Sequence, residues 1–181
     1  MDRDFLFAIA MDEQREGSIP KVDLIEGISG DDPELAGAVY DIITTDRLKK
    51  RIEPPLADEE LENLLMPYFE RCILTDPKGE WTLTRYSAAW EAQGCMLKVW
   101  DSDGGSSKSF ARWKKWMERL YRAGDEAIKR AIVDGILEHL FEEKELRQFF
   151  ADWKADSELK TAYEEAQLWA DTQSKNAQPA R

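Results

Sequence analysis

Apolar residues recur at intervals of three and four along much of this chain, and the period is cleanest toward its C-terminal end. Leu159, Ala162, Tyr163, Ala166, Trp169 and Ala170 make one such stripe, and with Asp156 or Ser157 placed to cap the first turn they predict a helix over residues 157–171. Leu146, Phe149, Phe150 and Trp153 mark a shorter helix before it. Residues 125–141 carry Ile128, Ala131, Ile132, Gly135 and Ile136 on one face and Val133, Leu137, Leu140 and Phe141 on another. A helix apolar on both sides belongs at the centre of a bundle. Residues 108–122 place Phe110, Trp113, Met117 and Leu120 along one side, and the Gly124-Asp125 corner ends that helix and caps the next, so the two form an αα-hairpin.

The pattern weakens toward the N-terminus. Tyr86, Ala89, Trp90, Gln93, Met96, Leu97 and Trp100 predict an amphipathic helix over 86–100. Leu61, Leu64, Leu65, Tyr68 and Phe69, with Asp58 as cap, predict another over 58–74, which Pro67 is expected to kink or break. Cys72 to Thr75, the turn Asp76-Pro77-Lys78-Gly79 and Trp81 to Thr84 read as a small β-hairpin, because Pro and Gly stand where a type I turn wants them. Leu35, Val39, Ile42, Ile43 and Leu48 predict a helix over 34–51 that ends before Pro54-Pro55. In the first 30 residues Gly17, Pro20, Gly27 and Gly30 interrupt short apolar runs, and the polar tail from Thr172 is expected to be disordered. The Gly- and Ser-rich stretch Asp101 to Ser107 marks a boundary between an acidic helical region, 1–103, and a C-terminal bundle, 108–171, within one compact unit. The expected fold is all-α or nearly so, a bundle of antiparallel helix hairpins with one short β-hairpin.

Composition changes this picture little. A hydrophobic content of 43% with seven Trp is more than an acidic disordered chain would carry, so the charge decorates a packed object. Cys72 and Cys95 lie 23 residues apart without a CxxC or a partnering His, which suits two reduced, small hydrophobes. The apolar run Phe5 to Met11 is seven residues long and follows Asp2 and Asp4, where an export signal would carry positive charge. A cytoplasmic protein is expected.

The charge distribution is more telling. Of the net −12, residues 1–60 hold −9, with 16 Asp and Glu against 7 Lys and Arg, while residues 108–181 balance at 14 against 14. Two dense carboxylate clusters bracket the helix expected over 34–51: Asp31, Asp32 and Glu34 at its start, and Glu53, Asp58, Glu59 and Glu60 beyond its end. Opposed to them, Lys108, Arg112, Lys115, Arg119 and Arg122 step by four and three into one cationic row on the helix 108–122. The apolar stripe of that helix must face the core, so the row faces solvent, the chain's own acids or an anionic partner. Contact with nucleic acid is disfavoured, since the net charge repels phosphates. Trp81 and Trp116 fit their local apolar patterns least well and are candidate anchors at an interface.

Catalytic chemistry finds little support. The single histidine, His139, lies inside the central helix and reads as structural. Asp101 and Asp103 open a segment that lacks the Gly and the bidentate Glu of a calcium loop, because those positions hold Ser106 and Arg112. Gly104-Gly105-Ser106-Ser107-Lys108 is not a phosphate-binding loop, since no GxxxxGK[ST] is present. The pairs Glu59-Glu60, Glu142-Glu143 and Glu164-Glu165 are adjacent residues that diverge on a helix and make poor acid–base partners. No enzyme activity, metal or cofactor is expected.

The block Leu120-Tyr121-Arg122-Ala123-Gly124-Asp125-Glu126, followed by Ile136-Leu137-Glu138-His139-Leu140 and then by Leu159 to Trp169, covers about a third of the chain. It resembles bacterial helical proteins in which a Gly-Asp corner precedes an Ile-Leu-Glu-x-Leu helix, a group that includes immunity proteins encoded beside polymorphic toxins. The resemblance implies binding without catalysis: a small acidic protein that occupies a toxin's active site or substrate groove. The long N-terminal third and the segment Asp76 to Gly79 depart from that pattern. A second likeness is to the wing of winged-helix regulators, carried by the Asp-Pro-Lys-Gly turn and Glu80-Trp81-Thr82-Leu83-Thr84; it implies a DNA-binding module over 34–90. The helices that would have to read DNA carry only Arg71 and Lys98, with Arg85 just outside. The expected function is therefore a protein-binding inhibitor of immunity or antitoxin type, with an adaptor or chaperone for a secreted effector, and a winged-helix-like regulator, as the alternatives.

Overall fold

The computed structural model describes residues 2–102 and 108–176. They form two compact units, Met1–Thr84 and Arg85–Arg181. The division falls ahead of the helix that the sequence pattern assigns to the N-terminal region. The Gly- and Ser-rich residues 103–107 lie outside the described residues, as do 177–181.

The first unit runs α1 (Arg3–Met11), β1 (Ile19–Pro20), α2 (Lys21–Ser29), α3 (Pro33–Thr44), α4 (Asp46–Lys49), β2 (Ile52–Glu53) and α5 (Asp58–Thr75). Helix α3 is central: Leu35 to Tyr40, Ile42 and Ile43 are all buried, and α1, α2 and α5 pack on it. Asp32 caps it, its Oδ1 accepting from Glu34 N at 3.1 Å and Leu35 N at 3.2 Å, with Pro33 pre-set at the first helical position. The helix expected over 34–51 divides at Thr45, whose extended backbone separates α3 from α4. Tyr40 stacks on Tyr68 of α5 with ring centroids 5.3 Å apart. Arg71 of α5 donates to the carbonyls of Ile28, at 2.9 Å, and Gly30, and so closes the C-terminal end of α2.

The β-hairpin expected over 72–84 is not formed. Cys72 to Thr75 continue α5, because Leu65, Phe69, Cys72 and Ile73 extend one buried helical stripe past Pro67. The helix stops at Asp76, which adopts the left-handed conformation at φ 45°. Residues 77–84 then cross α3 without a strand ladder. The strand pairing present is parallel, with Ile19 opposite Ile52 and Pro20 opposite Glu53.

The second unit comprises α6 (Arg85–Ser102), α7 (Lys108–Ala123), α8 (Glu126–Ile132), a π-helical turn (Val133–Leu137), α9 (Glu138–Leu140), α10 (Lys144–Phe149), a 3₁₀ turn (Ala151–Ala155) and α11 (Leu159–Asn176). Helix α8, the π turn and α9 form one continuous rod, buried on several sides as its apolar pattern requires. Asp125 caps it through Ile128 N at 2.9 Å, and Asp156 caps α11 through Leu159 N at 3.1 Å. Helix α11 continues through residues 172–176, which corrects the disordered tail expected from Thr172. Phe110, Trp113, Phe141, Phe150 and Trp153 are the largest fully buried side chains of this core. The fold is thus all-α with one short strand pair.

Candidate partner-binding site

The two acidic clusters are mostly engaged within the first unit. Besides capping α3, Asp32 pairs with Arg3 at 2.5 Å. Glu34 accepts the backbone N–H groups of Glu80 and Trp81, both at 3.0 Å, and so pins residues 77–84 across α3. Glu60 accepts from Ala57 N and from Lys21 Nζ, each at 2.9 Å, and these bonds, the backbone one foremost, hold its carboxyl below the usual range. The cap of α5 is therefore supplied by Glu60, three residues in, and Asp58 projects with its side chain 95% exposed and 3.4 Å from Lys49. Asp31, Glu53, Asp58 and Glu59 are the exposed carboxylates of the two clusters. Three of these four surround the Pro54-Pro55 corner between β2 and α5.

The expected anchors divide. Trp81 is half-buried, edge-on to Phe7 with centroids 6.0 Å apart. Trp116 is 4% exposed and packs edge-on against Trp113, so it belongs to the core and has no face to offer a partner. The wing implied by Glu80 to Thr84 is not formed, since those residues hold no strand pairing.

The cationic row is partly answered by the second unit's own acids. Arg122 pairs with Asp156 and Glu158; Asp156 foremost, these bonds raise the guanidinium, and the Arg122 bond lowers the Asp156 carboxyl to about 2. Lys114 lies over the rings of Phe149 and Phe150, 5.3 and 5.2 Å from their centroids, and donates to Phe149 O at 3.2 Å. Glu118 accepts the Trp153 indole N–H at 2.7 Å. Lys108, Lys115 and Arg119 face outward, Arg112 is half-buried, and Lys115, Arg119 and Arg122 line an open depression.

A second surface, not singled out from the sequence, has the densest chemistry. Helix α6 buries its small residues, Ala88, Ala89 and Ala92, and passes so close to the π turn that a Cβ on Gly135 would lie 2.7 Å from Ala89 Cβ. Burial falls on the alanines, and the aromatic rings one flank over remain outside: Tyr86 is 51% and Trp90 53% exposed, where the helical pattern had placed both on the buried stripe. Trp90 meets His139 edge-on at 4.6 Å, and His139 meets Trp169 of α11 edge-on at 4.8 Å. Glu142 Oε1 lies 3.1 Å from His139 Nδ1. The alanine triplet facing a helical glycine is the sequence signal that would have found this face.

Carboxylates border these rings. Arg130 pairs with Asp134 at 2.9 Å and with Glu165 of α11 at 3.1 Å, and Glu138 follows Asp134 by one turn. Burial, then the Asp134 carboxylate, raise the Glu138 carboxyl from 4.5 to about 7, against the pull of Arg130. Such a group favours the folded state while protonated. Its stabilising effect is complete below pH 4.5 and is lost as pH rises through about 7. Glu138 is only half-buried, so solvent screening limits the effect to about 1–2 kcal/mol. Glu138→Gln should therefore raise the stability measured by urea denaturation at alkaline pH and flatten its decline from acid to alkaline pH. Parallel declines in the two proteins would assign that pH dependence to other groups.

Burial pushes the Cys72 thiol up, which disfavours the nucleophilic thiolate, and neither Cys72 nor Cys95 is in a disulfide. Among the described residues, no group of three or more His, Cys, Asp or Glu is arranged to hold a metal ion, and no helix is long and apolar enough to cross a membrane. No protein-family model matches the chain, and no curated protein or solved structure matches it with significant similarity.

Proposed function

We propose that this chain is a non-catalytic, protein-binding inhibitor of immunity or antitoxin type that acts in the cytoplasm and captures a basic partner. The observation that carries the proposal is the Pro54-Pro55 corner, where Glu53, Asp58 and Glu59 are exposed while neighbouring Glu60 and Lys21 fasten the backbone beneath them. Carboxylates displayed on a fastened corner raise the rate and selectivity of capture without being ordered at the moment of binding. Asp32, Glu34 and Glu60 serve folding, so the binding contribution of the acidic third narrows to the residues that cap nothing.

Such an inhibitor is expected to be encoded beside its target. The test is growth arrest by the product of the adjoining gene, and its rescue by co-expression of this chain. Glu53→Gln, Asp58→Asn and Glu59→Gln together should slow association with that product about tenfold at low salt and flatten its salt dependence, with dissociation little changed. Absence of rescue removes the inhibitor reading, whereas rescue with an unaltered association rate removes only the electrostatic part.

A further inference from the structure

In the second unit, the face built by Tyr86, Trp90, His139 and Trp169 combines three features. Two of its rings, Tyr86 and Trp90, are open to solvent and His139 and Trp169 are half-buried, although this unit has a full aromatic core: Trp113, Phe110, Phe141, Phe150 and Trp153 are each at most 1% exposed. The rings are held in place, since His139 contacts both indoles edge-on and Glu142 meets its Nδ1. The border is anionic, because Glu142 and Glu165 are exposed carboxylates beside His139 and Trp169, and Arg130 is shared between Glu165 and Asp134.

We infer that this face is a docking site for a Lys- or Arg-bearing segment of a partner protein, with a cationic side chain lying over the exposed indole of Trp90 and its neighbours meeting the carboxylates of Glu142 and Glu165. Charge complementarity selects this occupant. An apolar partner segment would strip water from the exposed carboxylates of Glu142 and Glu165 and return nothing to them, and an acidic one would be repelled. A guanidinium or ammonium over an indole keeps its charge near the carboxylates while its stem covers the ring, which suits a surface half aromatic and half anionic. Preorganisation contributes too. Trp90 is positioned by the close crossing of α6 at Gly135 and by the His139 ring, so little side-chain freedom remains to be lost on binding. The inference uses other residues than the Pro54-Pro55 corner and stands independently of it.

The test uses a fluorescein-labelled hexa-arginine peptide and its hexa-glutamate counterpart against the full chain at physiological ionic strength. Hexa-arginine should bind and shift the indole N–H resonances of Trp90 and Trp169 while that of the buried Trp153 stays in place; hexa-glutamate should not bind. Trp90→Ala changes no charge, so it separates this site from general attraction to an acidic protein, and it should weaken the peptide about fivefold or more. Trp90→Phe should recover part of that loss, and Glu142→Gln with Glu165→Gln should weaken binding about threefold. Because Trp90 is exposed, these variants should keep the wild-type circular dichroism spectrum. Several outcomes overturn the inference: no binding of hexa-arginine, equal binding of hexa-glutamate, unchanged affinity in Trp90→Ala, or indole shifts confined to other tryptophans. Loss of binding only in the Glu53, Asp58 and Glu59 variant would move the site to the first unit and overturn it as well.

Discussion

Trp153→Ala is expected to destabilise the second unit by about 3–5 kcal/mol, the largest effect of any single truncation proposed for this chain. Trp153 is 1% exposed in the short 3₁₀ turn between α10 and α11, edge-on to Phe150 with centroids 5.1 Å apart. Removing the indole leaves a cavity beside Phe150, whose ring cannot collapse into it without losing its edge-to-face contacts with Phe110 and Phe149. A second cost is polar. The Glu118 carboxylate loses the indole N–H that donates to it at 2.7 Å. Trp153→Phe separates the two, since it keeps most of the volume and loses the donor; about 1–3 kcal/mol of destabilisation is expected there. Hydrogen exchange of amides in α7 and α11, with denaturant titration, measures both. A loss below about 1 kcal/mol in Trp153→Ala would mean that this ring does not organise the core.

Gly37→Ala should destabilise the first unit by about 3 kcal/mol, against the direction that helix propensity dictates. In the middle of a helix Ala is favoured over Gly by about 1 kcal/mol, so an uncrowded position would gain stability. Position 37 is crowded by backbone. A Cβ there would stand 1.8 Å from the Trp81 carbonyl oxygen and 2.6 Å from its carbon, and neither atom can rotate away as a side chain could. Residues 77–84 would have to lift from α3, breaking the two bonds by which Glu34 holds the N–H groups of Glu80 and Trp81. The expected signature is faster exchange of those two amides together with a lowered unfolding midpoint. A stabilised Gly37→Ala protein would show that the segment does not pack on α3 as described.

Helix identity was legible from residue 34 onward, where one face carries a long run of large apolar residues, but not for the short α1 and α2, whose apolar runs are interrupted by Gly17, Pro20, Gly27 and Gly30. The stripes of α7, α8 and α11 are strong enough that no alternative period fits them, and the caps Asp125 and Asp156 stand where the chain predicts them. Besides α1 and α2, the strand pair and the segment after α5 escaped. The parallel pair rests on one buried residue per strand, Ile19 and Ile52, which is too short for any alternation to register. The hairpin expected over 72–84 failed because a Pro and Gly turn signal is local, while the stripe of α5 runs on through Cys72 and Ile73 and burying it is worth more. Among the candidate site residues, charge could be counted but not assigned. Nothing in the chain distinguishes Asp58, which projects into solvent, from Glu60, two residues on, which caps Ala57 and holds Lys21.

Periodicity and charge depend on the order of residues, so the all-α class, the central 125–141 rod, the capping aspartates and the uneven acidity are properties of the chain itself. Which side of each helix is covered depends on what arrives from far along the chain. The close approach of α6 to Gly135 turned Ala88, Ala89 and Ala92 into its buried seam and left Tyr86 and Trp90 outside, where a helical wheel ranks the larger rings first for burial. The same holds for Trp116, drawn into the core beside Trp113, and for Glu34, which fastens a segment 46 residues away. Close packing rewards complementary shape at each contact, and that is settled only when both surfaces are in place.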